Sequence, residues 1–111
     1  MKNSILILVI LFIGFACTTQ TLRDQTFTGL HQTEIKEMLG APDSVHVLTK
    51  TVEHVWGPQE QLWYELKMGD KFVTWIYYDS EGRKELYFLN DSTEVAGEFY
   101  WYDDESKNPV F

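Results

Sequence analysis

The chain has 111 residues and carries 17 acidic against 9 cationic side chains, for a net charge of −8. That length supports one small domain with a single core and not two. The acidic balance argues against nucleic acid and against bare anionic lipid as partners, because both attract basic patches. A single cysteine excludes an intrachain disulfide, so stability rests on packing, to which four tryptophans, six tyrosines and seven phenylalanines contribute.

In chain order, Met1-Lys2-Asn3 gives a basic tip to an apolar run from Ile5 to Ala16, which stops at Cys17. The run is shorter than the ~20 apolar residues a spanning helix needs, and has the length of a secretory h-region. With Gly14 and Ala16 near its end, the segment resembles a bacterial lipoprotein signal. This implies a leader over residues 1–16 and an acylated Cys17, carrying palmitate-like chains, as the first mature residue. One buried acyl chain holds a protein only reversibly, whereas two or three hold it firmly. The lipid, not charge, is then the membrane contact: loss of Lys2 leaves eight cations against seventeen acids. Thr18 after the cysteine favours the outer membrane of a Gram-negative envelope, by resemblance to known sorting rules.

Residues 17–28 read as a polar tether with Leu22 and Phe27 as apolar points. Leu30, Ile35, Met38 and Leu39 then repeat at nearly helical spacing, Glu34 lies in the first turn, and Gly40 and Pro42 end the pattern. This predicts one short helix over 31–39, with His31 at the N-cap and Glu34 placed to reach back as in a capping box. Val45, Val47, Val52, Val55 and Trp56 are β-formers interrupted by Gly57-Pro58. Three stronger runs, 61–67, 71–78 and 84–89, read as strands separated by Met68-Gly69-Asp70 and Asp79-Ser80-Glu81-Gly82. A last strand spans Val95 to Tyr102, and connections this short imply antiparallel hairpins. Residues 103–111 read as a frayed acidic tail.

The stretch Gly29-Leu30-His31-Gln32-Thr33-Glu34-Ile35-Lys36-Glu37-Met38-Leu39-Gly40-Ala41-Pro42-Asp43 resembles the helix signature of the SmpA/OmlA lipoproteins, also called BamE-like. Leu62-Trp63-Tyr64 resembles that family's Trp-x-Tyr strand, and Tyr77-Tyr78-Asp79-Ser80-Glu81-Gly82 its Phe-Asp-x-x-Gly hairpin. The resemblance covers roughly residues 28–89. It implies an α+β domain over 29–102, with one or two short N-terminal helices packed on one face of a three- to four-stranded antiparallel sheet, as in β-lactamase-inhibitor-protein-like domains. Known members are accessory subunits in outer-membrane β-barrel assembly.

Aligning Tyr78 with the family's inward Phe places Phe72, Thr74 and Ile76 in the core, and turns Val73, Trp75 and Tyr77 away. Leu62, Tyr64, Leu66, Leu86, Phe88, Phe99 and Trp101 then join the core under the helix. The opposite face carries Trp63, Trp75, Tyr77, Tyr87, Tyr100 and Tyr102, an aromatic set suited to binding an envelope protein, to stabilising a solvent-facing sheet through cross-strand pairs, or to burial under residues 44–58 or a second copy. A concave sheet binding a soluble protein, peptide or glycan, as an inhibitory or ligand-binding module would, is the alternative. No cofactor, metal or catalysis is expected. His31, His46 and His54 are scattered, Asp79-x-Glu81-Gly82 lacks the ligand pattern of a calcium loop, and no serine sits in a Gly-x-Ser-x-Gly turn.

Overall fold

The computed structural model describes residues 21–111. The leader over 1–16, Cys17 and the start of the tether lie outside the described residues. The elements are helix α1 (Gln32–Leu39), strand β1 (Ser44–Thr49), helix α2 (Glu60–Glu65), strands β2 (Lys71–Tyr78), β3 (Gly82–Leu89) and β4 (Gly97–Tyr102), and a 3-10 turn (Glu105–Lys107). The strands form one antiparallel sheet in the order β1-β2-β3-β4. The domain is α+β, with four strands and two helices, and among the described residues no helix is long and apolar enough to cross a membrane.

Helix α1 forms where its punctuation places it. The His31 ring supplies the N-cap, its Nδ1 accepting from the Thr33 N–H at 3.1 Å. At the other end, Gly40 takes a positive φ of 79° and its N–H donates to the Lys36 carbonyl at 2.8 Å. Of the predicted stripe, Ile35 is fully buried, Leu30 and Leu39 pack partly against the core, and Met38 stays exposed.

The segment 61–67 does not form the expected strand: residues 60–65 are helical. Leu62, Trp63 and Tyr64 have β-favouring or bulky side chains, but tertiary contacts decide here. A six-residue helix cannot hold itself in water, and this one is fastened from outside. The Lys50 ammonium, nearly buried, donates to the carbonyls of Trp63 (3.0 Å) and Leu66 (2.7 Å) at its C-terminal end, where a cation also suits the helix dipole. The indole N–H of Trp63 donates to the Val52 carbonyl at 3.0 Å. Lys50→Met keeps the stem and removes the donors, so it should cost about 2 kcal/mol and loosen α2 before the sheet. Urea denaturation with hydrogen exchange of the α2 amides checks both statements.

On β2 and β4 the faces are exchanged relative to the sequence expectation, whereas Leu86 and Phe88 of β3 lie in the cluster with Ile35 as expected, and Tyr87 on the other face. The pairing Val73↔Phe88, Trp75↔Leu86 and Tyr77↔Lys84 sets one face, and Trp75, Tyr77, Leu86 and Phe88 cluster there with Phe27, Ile35 and Val95. The cluster that holds Ile35 of α1 therefore uses, on β2, the parity expected to point away. Tyr78, expected inward, is 57 % exposed. The Tyr77 hydroxyl explains the choice, since it donates to the Gly40 carbonyl at 2.9 Å and seats the end of α1 on its own side. Period two makes the exchange complete within β2. The other face holds Phe72 and Tyr87, clustered with Trp63 and Leu66.

Two further features organise the edge at β4. Lys84 and Glu98 form a nearly buried ion pair at 2.9 Å, and the same carboxylate accepts from the N–H groups of Phe27 and Thr28 and from the Thr28 hydroxyl. The end of the chain is tied down, in contrast to the frayed tail expected for 103–111. The Asn108 side chain both accepts from the Tyr102 N–H and donates to the Tyr102 carbonyl, and Phe111 rests against Phe99 and Trp101.

Candidate functional site

On the face away from Ile35, α2 covers only one end, and a groove of about 380 Å³ remains open. Antiparallel pairing brings Phe72, Thr74, Ile76 and Tyr78 of β2 alongside Leu89, Tyr87, Glu85 and Arg83 of β3, because directly opposed residues share a face. On the other side of β2, Leu48, His46 and Ser44 oppose Phe72, Thr74 and Ile76. Phe72, Ile76 and Tyr87 make an apolar and aromatic floor, Trp63, Val55 and Gln59 a wall from α2 and the segment before it, and Tyr78 and Arg83 line the groove toward the opposite end of these strands.

Some of the polar groups that line the groove are mutually oriented. Glu85 accepts from the Tyr87 hydroxyl at 2.8 Å and from Arg83 Nε at 3.0 Å. Burial first, and then the adjacent Glu85 carboxylate, push the Tyr87 phenol well above its ordinary range, so it stays a donor throughout the physiological range. The Arg83 guanidinium also lies over the Trp101 ring, 5.7 Å from its centroid. On the rim, Ser44 Oγ and His46 Nε2 stand 3.0 Å apart. That pair sits two residues apart on an exposed strand, and no carboxylate among the described residues bonds the ring to orient it as a base. Among the described residues no three His, Cys, Asp or Glu side chains group as metal ligands. The arrangement offers a shaped groove of mixed polar and apolar lining, suited to recognition.

The six aromatic residues expected to form one recognition surface are divided. Trp75 and Tyr77 are buried in the cluster with Ile35, while Trp63 and Tyr87 are buried in the cluster beside the groove. Tyr100 and Tyr102 are half-buried on β4, with ring centroids 5.1 Å apart and the Tyr100 hydroxyl donating to Asp79. They cannot act as one exposed patch, because both faces of the sheet carry cover. Arg83 and Glu85 were not singled out from the sequence. Their signal is the alternation Arg83-x-Glu85-x-Tyr87, which puts a cation, an anion and a phenol on one side of a strand. Asp79 Oδ1 accepts from the N–H groups of Glu81 and Gly82, both at 3.0 Å, the bonding of a hairpin turn.

No protein-family model, curated protein or solved structure matches the chain.

Proposed function

We propose that the chain is a non-enzymatic envelope lipoprotein, held at the outer membrane by acyl chains on Cys17, whose domain docks an envelope protein through the groove. In this reading α1 forms a helical layer on one face and α2 leaves the other face half uncovered for a partner. The observation that carries it is the groove beyond α2, where the exposed side chains of His46, Leu48 and Tyr78 stand around a floor of buried Phe72 and Tyr87, a concave site of the kind that partners enter. An accessory role in outer-membrane assembly follows the resemblance to the SmpA/OmlA (BamE-like) family. A second reading, a ligand-binding or inhibitory module, draws support from the groove volume of about 380 Å³, within the range of small-molecule sites.

In-cell crosslinking with mass spectrometry tests the partner. Tyr78→Ala with Gln59→Ala alters the groove lining at an exposed and a half-buried position, so the domain should stay folded and envelope crosslinks should disappear. Unchanged crosslinks would remove the groove from the proposal. Saturable binding of a small molecule or glycan to the domain, with no protein crosslinked, would favour the second reading. The anchor is tested separately: palmitate labelling should mark the chain, and Cys17→Ser should abolish the label and release the chain from the membrane fraction.

A further inference from the structure

The two edges of the sheet are protected very differently. Beside β4, Gly29 N–H donates to the Val95 carbonyl and Val95 N–H to the Leu30 carbonyl, each at 2.9 Å. Glu98 gathers the backbone of residues 27 and 28, and Asn108 clasps Tyr102. Nothing comparable borders β1 among the described residues. Its six residues, Ser-Val-His-Val-Leu-Thr, include no proline, no glycine and no formal charge, and five of them are exposed. Val45, Val47 and Leu48 are 51 %, 57 % and 56 % exposed. Natural edge strands avoid this combination because unpaired backbone beside apolar side chains templates a further strand.

The ladder shows which groups are open. Lys50 N–H donates to the Asp70 carbonyl at 2.8 Å, one step beyond the Thr49↔Lys71 pair. Alternation along an antiparallel ladder then turns the N–H and C=O of Ser44, His46 and Leu48 toward β2, and those of Val45, Val47 and Thr49 outward. On the far side of β2, Asn90 N–H donates to the Lys71 carbonyl and Asp79 N–H to the Gly82 carbonyl. Odd-numbered residues of β2 therefore bond to β3 and even-numbered ones to β1, which agrees.

We propose that β1 pairs antiparallel with β1 of a second copy of this chain, about a two-fold axis through Val47, joining the two sheets into one. The sequence is self-complementary in that register. Val47 meets Val47, Val45 meets Thr49, and every outward N–H and C=O of these three residues finds a partner. On the groove side His46 lies beside Leu48 of the second copy, so the rims of the two grooves become continuous. Charge selects this edge for self-association. Two copies at −8 each repel, and Ser44–Thr49 presents no acidic side chain where they would meet.

The test uses the full chain in detergent, in a Cys17→Ser background so that any thiol is an introduced one. Sedimentation should show a dimer. Val47→Lys, at a side chain exposed in the single copy, sets two ammonium groups across the axis and should weaken dimerisation at least about tenfold without changing the circular dichroism spectrum. Under mild oxidation Val47→Cys should crosslink to itself. Val45→Cys should not, but should crosslink when mixed with Thr49→Cys. A chain that sediments as a monomer at every concentration overturns the proposal. So does a dimer indifferent to Val47→Lys, self-crosslinking of Val45→Cys, or an edge filled only by a peptide of another protein.

Discussion

Glu98→Gln should lower stability by about 3–5 kcal/mol, the range observed when one partner of a buried ion pair is removed. Its side chain is 13 % exposed and that of Lys84 6 %, so the substitution leaves the ammonium almost out of water without a counter-charge. The amide also has one acceptor where the carboxylate has two: its oxygen can serve the Phe27 and Thr28 N–H groups, each 2.6 Å from Oε2, or the Lys84 ammonium on Oε1, while its NH2 end donates and suits neither. Either the Lys84 ammonium faces a donor, or Phe27, fully buried, loses the bond that seats its main chain. Urea denaturation should show a lower midpoint at unchanged slope. The pair Lys84→Met with Glu98→Leu should recover the part due to the stranded cation and not the part due to residues 27 and 28.

Acid should act on the same group. Burial alone would push the Glu98 carboxyl up, but the hydrogen bonds from Lys84, Phe27 and Thr28 and the Lys84 charge outweigh it and hold the group below its ordinary range. The folded chain therefore takes up this proton less readily than the unfolded chain. The stabilisation is complete above the ordinary carboxylate pKa and is lost as pH falls through the depressed folded value. Glu98→Gln should remove this part of the acid dependence, which a pH series of denaturation midpoints will show.

What could be read in advance follows from how local each determinant is. Helix α1 and strand β2 were legible because their limits are written in adjacent residues: His31 and Gly40 for the helix, Gly69-Asp70 and Asp79 to Gly82 for the strand. The 60–65 helix was not, because its stabilisers, Lys50 and the Val52 carbonyl, are distant in sequence and β-type side chains point the other way. The face assignment failed for another reason. β2 carries large apolar side chains on both parities, Phe72 and Ile76 against Trp75 and Tyr77, so alternation cannot say which set meets α1. The deciding Tyr77 to Gly40 bond is a three-dimensional fact. For the same reason the groove and its Arg83, Glu85 and Tyr87 group emerge only once α2 is seen to cover one end of that face.

Gly82→Ala should be the other severe substitution, at a position that looks tolerant because it begins a strand beside a turn. An added Cβ would stand 1.9 Å from the Trp101 carbonyl oxygen and 2.9 Å from both the Trp101 carbonyl carbon and Tyr102 Cα. All three are backbone atoms, so no rotamer change relieves the clash, and the ends of β3 and β4 must separate by about 1 Å or more. That movement strains the Asp103 N–H to Glu81 carbonyl bond of 2.8 Å. It also strains the Tyr100 to Asp79 hydrogen bond and the stacking of Arg83 on Trp101. The loss should reach about 3 kcal/mol, at the upper end for overpacking, because backbone rather than side chains must yield. Gly40→Ala is the comparison, since nothing lies within 4 Å of its Cβ and only backbone strain opposes it: φ 79° with ψ −167° is a region almost confined to glycine, at about 1–3 kcal/mol. Denaturation midpoints should fall in both variants, by strain at one end of α1 in Gly40→Ala and by separation of β3 from β4 in Gly82→Ala. The amides of Tyr102 and Asp103 should lose exchange protection in Gly82→Ala alone, and an undiminished midpoint in that variant would mean that the β3–β4 end opens at little cost.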